Sequence, residues 1–280
     1  MLDNIIHVSE AKDVLEPKDI ADQRFSVPVS LFAKHQIQAV LLDKDGTLLD
    51  FLSMWGRWSE ALLSHFRQGL EKRQLHLPQE QIPHIWGTVH DAEGRIIDYD
   101  TAGPLAMGTM DDVYAVLSWH GYRAGLSWGD ASRLVRQCAQ AADEQLEQWR
   151  PARALSGVRE FVAQCALHHI RLAVVTADDT SNALKHLDWL GLKQHMEVII
   201  GSDQVERGKP FPDMVELACQ KLGVDPSHAA VIGDTNGDMD MGLSAGCPLV
   251  IGIGTAEQLP LAHYIVPSFV PLIGLPGGGT

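Results

Sequence analysis

Six short apolar runs, each ending in polar or turn-forming residues, follow one another after residue 38. They are AVLLDKD (39–45), RLAVVTADD (171–179), EVIIGSD (197–203), AAVIGDTN (229–236), PLVIGIG (248–254) and HYIV (263–266). Runs of this length that are rich in Val and Ile are typical of strands buried on both faces of a parallel sheet. The pattern therefore predicts a sheet of parallel strands.

Helical patterns separate several of these runs. Apolar residues recur every three to four positions over 158–169, 180–192 and 212–224, and a glycine stops each of the last two. Alternating strands and helices favour an α/β fold, a doubly wound, Rossmann-like domain. Ligands bind such domains at the carboxyl ends of the strands, so the polar residues there are candidates for a functional site.

The segment 51–151 has a different pattern. Its apolar residues predict amphipathic helices, a loop over 90–109 interrupts them, and no buried strand is apparent. We therefore predict a helical domain over 51–151, inserted into an α/β core formed by 39–50 and 152–280. Residues 1–38 would be an N-terminal extension, with a weak strand-like stretch, RFSVPVSLF, near its end.

Composition narrows the class of partner. The chain has 280 residues and a formal net charge of −14, which disfavours a large nucleic acid or an anionic membrane surface as partner. No apolar stretch is long enough to span a membrane, and the N-terminus lacks the pattern of a secretory signal. The four cysteines are dispersed without a C-x-x-C pair, which favours buried free thiols in a cytoplasmic protein. The oligomeric state stays open.

Four polar segments lie at or near the predicted strand ends. They are DKDGT (43–47), VVTAD (174–178), RGKPFPD (207–213) and GDTNGDMDMG (233–242). If these ends converge, four carboxylates share one small site, and some must be compensated. The four acids are Asp43, Asp45, Asp234 and Asp238. A hard cation such as Mg²⁺, which prefers oxygen ligands, would offset their charge.

The same segments supply groups that suit phosphate chemistry. Lys209 would add a compact positive charge, and Thr176 offers a hydroxyl group. One of the two acids at 43 and 45 can attack phosphorus, while the other carries a proton. By strand alternation, Lys44 would point to the opposite side from this pair.

In order and spacing, the four segments resemble the four motifs of the haloacid dehalogenase (HAD) superfamily, and the chain resembles a phosphoglycolate-phosphatase-like member with a helical C1-type cap. The resemblance implies that Asp43 is the nucleophile and Asp45 the general acid and base. Thr176 would bind phosphate, and Lys209 would steady the phosphoryl group. The metal set would comprise Asp43, Asp45 through its backbone carbonyl, and the motif-four acids Asp234 and Asp238.

The resemblance also discriminates within the superfamily. Dehalogenases lack an acid at the position of Asp45, P-type ATPases carry Thr there and phosphonatases Ala, so phosphoester chemistry is favoured. The chain departs from many relatives at Ala177, where they carry Asn. The expected activity is Mg²⁺-dependent hydrolysis of a small phosphorylated metabolite. Two alternatives stay open: a phosphomutase acting on a sugar phosphate, and a binding module without turnover.

A calcium-binding loop is a further interpretation of the acid-rich segments. An EF-hand loop needs Gly at its sixth position and Glu at its twelfth. A loop from Asp43 has Leu48 and Met54 there, and a loop from Asp234 also has neither residue.

Among the tryptophans of the insert, Trp55 and Trp58 are candidate walls for a substrate, although core packing is the more usual role.

Overall fold

The computed structural model describes residues 27–77 and 85–273. The described strands are β1 (Ala39–Leu42), β2 (Thr88–His90), β3 (Ile96–Tyr99), β4 (Arg171–Val175), β5 (Val198–Ile200), β6 (Ala229–Gly233), β7 (Leu249–Ile253) and β8 (Tyr264–Val266). The α-helices are α1 (Val27–Lys34), α2 (Arg57–Glu71), α3 (Pro104–Met107), α4 (Met110–Arg123), α5 (Trp128–Trp149), α6 (Val158–Leu167), α7 (Thr180–Leu190), α8 (Asp213–Leu222) and α9 (Asn236–Ser244). A π-helical turn, Leu52–Gly56, leads directly into α2.

The chain forms two compact units. Among the described residues, the first comprises 27–47, 155–175 and 195–273, and the second comprises 48–77, 85–154 and 176–194. Most of the N-terminal extension, 1–26, lies outside the described residues.

The first unit is built on a six-stranded parallel sheet in the order β5-β4-β1-β6-β7-β8. All six strands predicted from the apolar runs are confirmed, and so is the Rossmann-like α/β fold. Strand β1 is central, because Leu42 pairs with Val174 of β4 on one side and with Ile232 of β6 on the other.

Side chains on both faces of this sheet are buried. On one face, Leu41 of β1 belongs to a core with Met214 of α8 and Met239 of α9. Val40 and Leu42 alternate with Leu41 along the strand and are also completely buried. Burial on both faces explains why the strand sequences are almost continuously apolar.

Glycine ends two helices where the sequence predicts it. Gly191 after α7 and Gly223 after α8 have φ values of 68° and 66°, a left-handed conformation that glycine adopts without a steric penalty. The helix α6 ends at Leu167, so the neighbouring His168 and His169 mark a helix end.

The second unit consists mainly of helices α2, α4, α5 and α7. Helix α5 packs against both α2 and α4, and Gly69 of α2 allows close approach, since a Cβ atom there would lie 2.6 Å from Leu134. An ion pair at 2.5 Å between Lys185 of α7 and Glu147 joins α7 to α5.

Three local features differ from the predictions. A two-stranded antiparallel ribbon, β2 and β3, overlaps the start of the interrupting loop, and it is closed by a turn in which Gly94 has a φ of +80°. Residues 27–32 of the strand-like stretch belong to helix α1 (Val27–Lys34). The second unit also includes 176–194, which we assigned to the core, since side chains of α7 pair with those of α5.

All four cysteines are buried and unbridged, in agreement with the expected free thiols. None of the helices in the described part of the chain is both long and apolar enough to cross a membrane.

Candidate active site

The carboxyl ends of adjacent strands bring two predicted acids together. Asp43 follows β1 directly, and Asp234 follows β6, its parallel neighbour. The backbone amide of Asp43 donates to the carbonyl of Ile232 at 2.9 Å, which continues the strand ladder up to the first acid. Topology alone therefore places the two carboxylates at one edge of the sheet.

A third acid comes from the first turn of α9. One carboxylate oxygen from each of Asp43, Asp234 and Asp238 lies within 4.8 Å of the others. Asp238 is completely buried, and its Oδ2 accepts hydrogen bonds from the amide and the hydroxyl of Thr235 at 3.1 and 2.6 Å. This capping box at the start of α9 fixes the carboxylate and leaves Oδ1 for other partners.

Lys209 supplies positive charge to this cluster. It lies in the loop between β5 and α8, and only 10% of its side chain is exposed. Its ammonium nitrogen is 2.6 Å from Oδ1 of Asp238 and also donates to Oδ1 of Asp43. The structure thus brings together four of the predicted site residues, Asp43, Lys209, Asp234 and Asp238.

The protonation equilibria reflect crowding of like charges. Burial raises the pKa of Asp43 to about 7; Lys209 opposes this rise, whereas Asp238 and Asp45 add to it. Burial and the carboxylates of Asp43 and Asp238 raise the pKa of Asp234 well above its usual value. Burial disfavours the charged form of Lys209, but Asp238 and Asp43 outweigh this effect and raise the pKa of Lys209.

Asp45 occupies a different environment. Its carboxylate is 18% exposed and lies 2.6 Å from the ammonium of Lys44, which is completely buried. The prediction that Lys44 points away from the acid pair was wrong. Strand β1 ends at Leu42, so the alternation of side chains no longer governs residue 44. The two acids therefore have separate cationic partners.

Thr176 is the first residue after β4 and is almost completely buried. Its hydroxyl accepts a hydrogen bond from the amide of Asp178 at 3.2 Å. Asp179 is the N-cap of α7, and its side chain accepts a hydrogen bond from the amide of Asn182 at 2.8 Å.

Two further residues shape this site: Gly46, for which the sequence predicts a sharp backbone turn after the acid pair, and Thr47, to which sequence reasoning assigned no role. A Cβ atom at Gly46, where φ is +78°, would lie only 2.0 Å from Oδ2 of Asp234, so a glycine is needed there for steric reasons. The hydroxyl of Thr47 donates to Oδ1 of Asp234 at 3.2 Å. Gly46 and Thr47 follow the acid pair directly in the sequence, but their partner Asp234 lies 187 residues after Thr47, so no local pattern indicates the contact.

The acid cluster fits a divalent metal ion. Its potential ligands are all carboxylate oxygens, Asp43 and Asp238 are buried and Asp234 is half-buried, and one ammonium group cannot neutralise three carboxylates. Oxygen ligands of this kind suit a hard cation such as Mg²⁺ or Ca²⁺.

Comparison with known proteins identifies the family. The pattern of the haloacid dehalogenase-like hydrolases matches residues 37–246. The chain belongs to this family, and it is an enzyme of the phosphatase type. It is 33% identical over 240 residues to the probable phosphatase IndB of Dickeya dadantii, a match that covers 84% of this chain and 91% of that protein.

A second relative shares a shorter region. The chain is 29% identical over 113 residues to the phosphoglycolate phosphatase of Escherichia coli K12, which covers 38% of this chain and 45% of that protein. This match spans less than half of either protein.

Solved structures show the same fold. One is named a predicted phosphoglycolate phosphatase, from Haemophilus somnus, with a TM-score of 0.60, 21% identity, and coverage of 84% of this chain and 95% of that chain. Another is a β-phosphoglucomutase from Clostridium difficile, with a TM-score of 0.55, 17% identity, and coverage of 83% and 91%.

Proposed function

We propose that this chain is a Mg²⁺-dependent phosphatase that hydrolyses a small phosphomonoester through an aspartyl-phosphate on Asp43. The name of one relative suggests a phosphoglycolate-like substrate, and a sugar phosphate is the alternative that we keep. The observation that carries the proposal is the position of Asp43. Its carboxylate follows the central strand, bonds to Lys209, and lies in a cluster with Asp234 and Asp238.

In the first half of the reaction, a carboxylate oxygen of Asp43 attacks phosphorus and the ester bond to the leaving alcohol breaks. Asp45 gives its proton to the leaving oxygen, so the alcohol departs neutral. Its partial exposure suits this role, because a proton donor must reach the substrate. The products of this half are the free alcohol and a phosphorylated Asp43.

In the second half, Asp45 accepts a proton from water, and the resulting oxygen nucleophile attacks phosphorus. The bond between phosphorus and Asp43 breaks, which releases inorganic phosphate and restores the carboxylate. Lys209 and Thr176 are the groups that we assign to the negative oxygens of the phosphoryl group.

The residues that would hold the cation are Asp43, Asp234 and Asp238, together with the backbone carbonyl of Asp45. When bound there, Mg²⁺ would offset carboxylate charge and polarise phosphoryl oxygens. Thr47 and Thr235 would orient two of these ligands through the hydrogen bonds described above.

Release of inorganic phosphate from a panel of phosphomonoesters tests this proposal. We expect turnover by the wild type with Mg²⁺, none after chelation by EDTA, and none by the Asp43→Asn variant. Asp188→Asn is a matched control, because Asp188 is exposed on α7 and should keep full activity. Unchanged phosphate release by Asp43→Asn, with circular dichroism confirming its fold, would refute the mechanism.

A phosphomutase would use the same acids but return the phosphoryl group to a sugar. Similarity to a β-phosphoglucomutase at 17% identity supports the fold and not this activity. The two reactions are separated by following a hexose 1-phosphate, since hydrolysis releases phosphate and a mutase forms an isomeric sugar phosphate. Isomerisation without phosphate release would favour the mutase.

A further inference from the structure

A cavity of about 250 Å³ lies within the second unit. Side chains from the π-helical turn and from helices α2, α4, α5 and α7 form its wall. It is smaller than typical pockets for drug-sized ligands, which measure roughly 300–1,000 Å³, so it suits a fragment of a small metabolite.

Aromatic rings form much of this wall. Trp55 and Trp58 meet edge to face, with ring centroids 5.7 Å apart and an interplanar angle of 78°. The ring of Tyr114 lies 6.4 Å from that of Trp58, and Trp189 also lines the cavity. The π-electron face of an indole ring attracts organic cations, so a wall rich in aromatic rings suits such a ligand.

The charged groups of the wall are predominantly acidic. Asp143 accepts a hydrogen bond from the indole nitrogen of Trp58 at 2.7 Å, and its side chain is accessible to solvent. Among the described lining residues, Lys185 has the one permanent positive charge, and Glu147 already pairs with it at 2.5 Å. Asp179 adds a further acid at the start of α7. The wall therefore carries an excess of negative charge.

We propose that this cavity binds a small organic cation, the amine-bearing or quaternary ammonium part of a substrate alcohol. The aromatic rings and the carboxylate of Asp143 would together bind the cation. A carboxylate such as that of phosphoglycolate would meet two acids without a free positive partner on the described wall. This inference rests on the proposed phosphatase reaction, because it concerns the leaving group of the phosphoester, and it replaces the phosphoglycolate-like alcohol suggested by one relative with an amine-bearing alcohol.

Chain connectivity limits the distance between this cavity and the phosphate-binding residue of the proposed mechanism. Asp179 in the cavity wall is three residues from Thr176, so their Cα atoms are at most about 11 Å apart. The part of the cavity wall at Asp179 is therefore within reach of a small molecule whose phosphate lies near Thr176. Short amino-alcohol phosphates have this design.

Binding of the dephosphorylated groups tests the proposal without turnover. Tryptophan fluorescence of the full chain would be titrated with choline, with ethanolamine, with neutral ethylene glycol and with anionic glycolate. We expect saturable binding of the two cations and at least tenfold weaker binding of glycolate. The Asp143→Asn variant keeps an acceptor for Trp58 but loses the charge, and it should weaken choline binding about tenfold.

Glu144→Gln is the matched control, because it removes one negative charge from the neighbouring residue of α5, which does not line the cavity. It should bind choline as the wild type does. Tighter binding of glycolate than of choline by the wild type would overturn the proposal, and so would equal effects of the two substitutions. The comparison of choline with glycolate uses the wild-type protein alone, so it does not depend on whether any variant folds.

Turnover separates this inference from the proposed function. We expect kcat/KM for phosphocholine or phosphoethanolamine to exceed that for phosphoglycolate, and Asp143→Asn to reduce the ratio about tenfold. Absence of phosphate release from every ester would refute the phosphatase proposal. The fluorescence titrations with choline and glycolate would still show whether the cavity binds cations. Preferred hydrolysis of phosphoglycolate would overturn the cation site and leave the phosphatase proposal intact.

Discussion

The ammonium nitrogen of Lys209 lies 2.6 Å from Oδ1 of Asp238 and bonds at the same time to Asp43, so one buried cation joins two acids from different elements. Asp43 follows β1, whereas Asp238 belongs to α9. The loop that carries Lys209 therefore contributes to both the charge balance and the shape of the acid cluster.

Replacing Lys209 by Met should remove this balance. Because two buried carboxylates lose their cation, we expect the free energy of unfolding without metal to fall by about 3–5 kcal/mol at neutral pH. We expect kcat/KM to fall about 100-fold or more, since a donor to the phosphoryl oxygens is lost. Chemical denaturation and phosphate-release kinetics measure the two effects.

Lys221→Met is the control for this change. Lys221 lies near the end of α8, is exposed, and donates to Gln204, so its loss should change neither quantity appreciably. An active Lys209→Met variant would contradict the role that we assign to the ammonium group.

The stability of the metal-free protein should depend on pH through the same cluster. The pKa of Asp43 is about 7 in the folded chain, against 3.8 as its ordinary value, and the pKa of Asp234 is also raised. The folded state then binds more protons than the unfolded state between these values, so stability falls as the pH rises through that window. We expect Tm without metal to be lower at about pH 8 than at about pH 5.

Mg²⁺ should reverse this loss. A bound cation takes the place of the protons of the cluster, so Mg²⁺ should raise Tm more at about pH 8 than at about pH 5. At a Mg²⁺ concentration of 100 times Kd, binding should add about 3 kcal/mol to the free energy of unfolding. Thermal scans with EDTA or Mg²⁺ test this. Asp234→Asn should show a shallower pH dependence than the wild type and a smaller response to Mg²⁺; an unchanged response would place the cation elsewhere.

Gly46 should tolerate no side chain. Alanine there would combine a strained φ of +78° with a Cβ atom 2.0 Å from Oδ2 of Asp234. We expect Gly46→Ala to displace that carboxylate and to abolish both the thermal response to Mg²⁺ and phosphate release. Thermal scans and kinetics measure these losses.

Gly94→Ala separates strain from collision. Gly94 has nearly the same φ, +80°, but an added Cβ atom would meet no atom within 4 Å. This variant should lose about 1–2 kcal/mol of stability from the left-handed backbone alone and keep its activity. If Gly46→Ala and Gly94→Ala changed the thermal response to Mg²⁺ equally, steric overlap with Asp234 would not be the cause of the loss in Gly46→Ala.

Much of the fold was predictable because local patterns determine it. The strand β6, AAVIG, is apolar throughout and is buried on both faces, and Gly223 ends α8 as its position indicates. The acids of the cluster were predictable for a related reason. They occupy the ends of parallel strands or the helix turn that follows, and topology brings those ends together.

The remaining features depend on contacts that no local pattern encodes. Lys44 turns to Asp45 because β1 ends two residues earlier, and the end of a strand is set by its neighbours. The grouping of 176–194 with the second unit depends on partners of α7 more than thirty residues away, such as Glu147. The amino-acid letters identify such residues but not the distance between them.

Thr47 should influence the cluster without touching the substrate. Its hydroxyl donates to Oδ1 of Asp234, and Thr47→Val keeps the shape of the side chain but removes this donor. We expect Mg²⁺ affinity, measured by calorimetry, to fall about tenfold, as is typical when a metal ligand loses its hydrogen-bond partner. Thr47→Ser keeps the hydroxyl and should bind Mg²⁺ nearly as the wild type does. Equal loss of affinity in both variants would show that the methyl group matters and that the hydrogen bond does not.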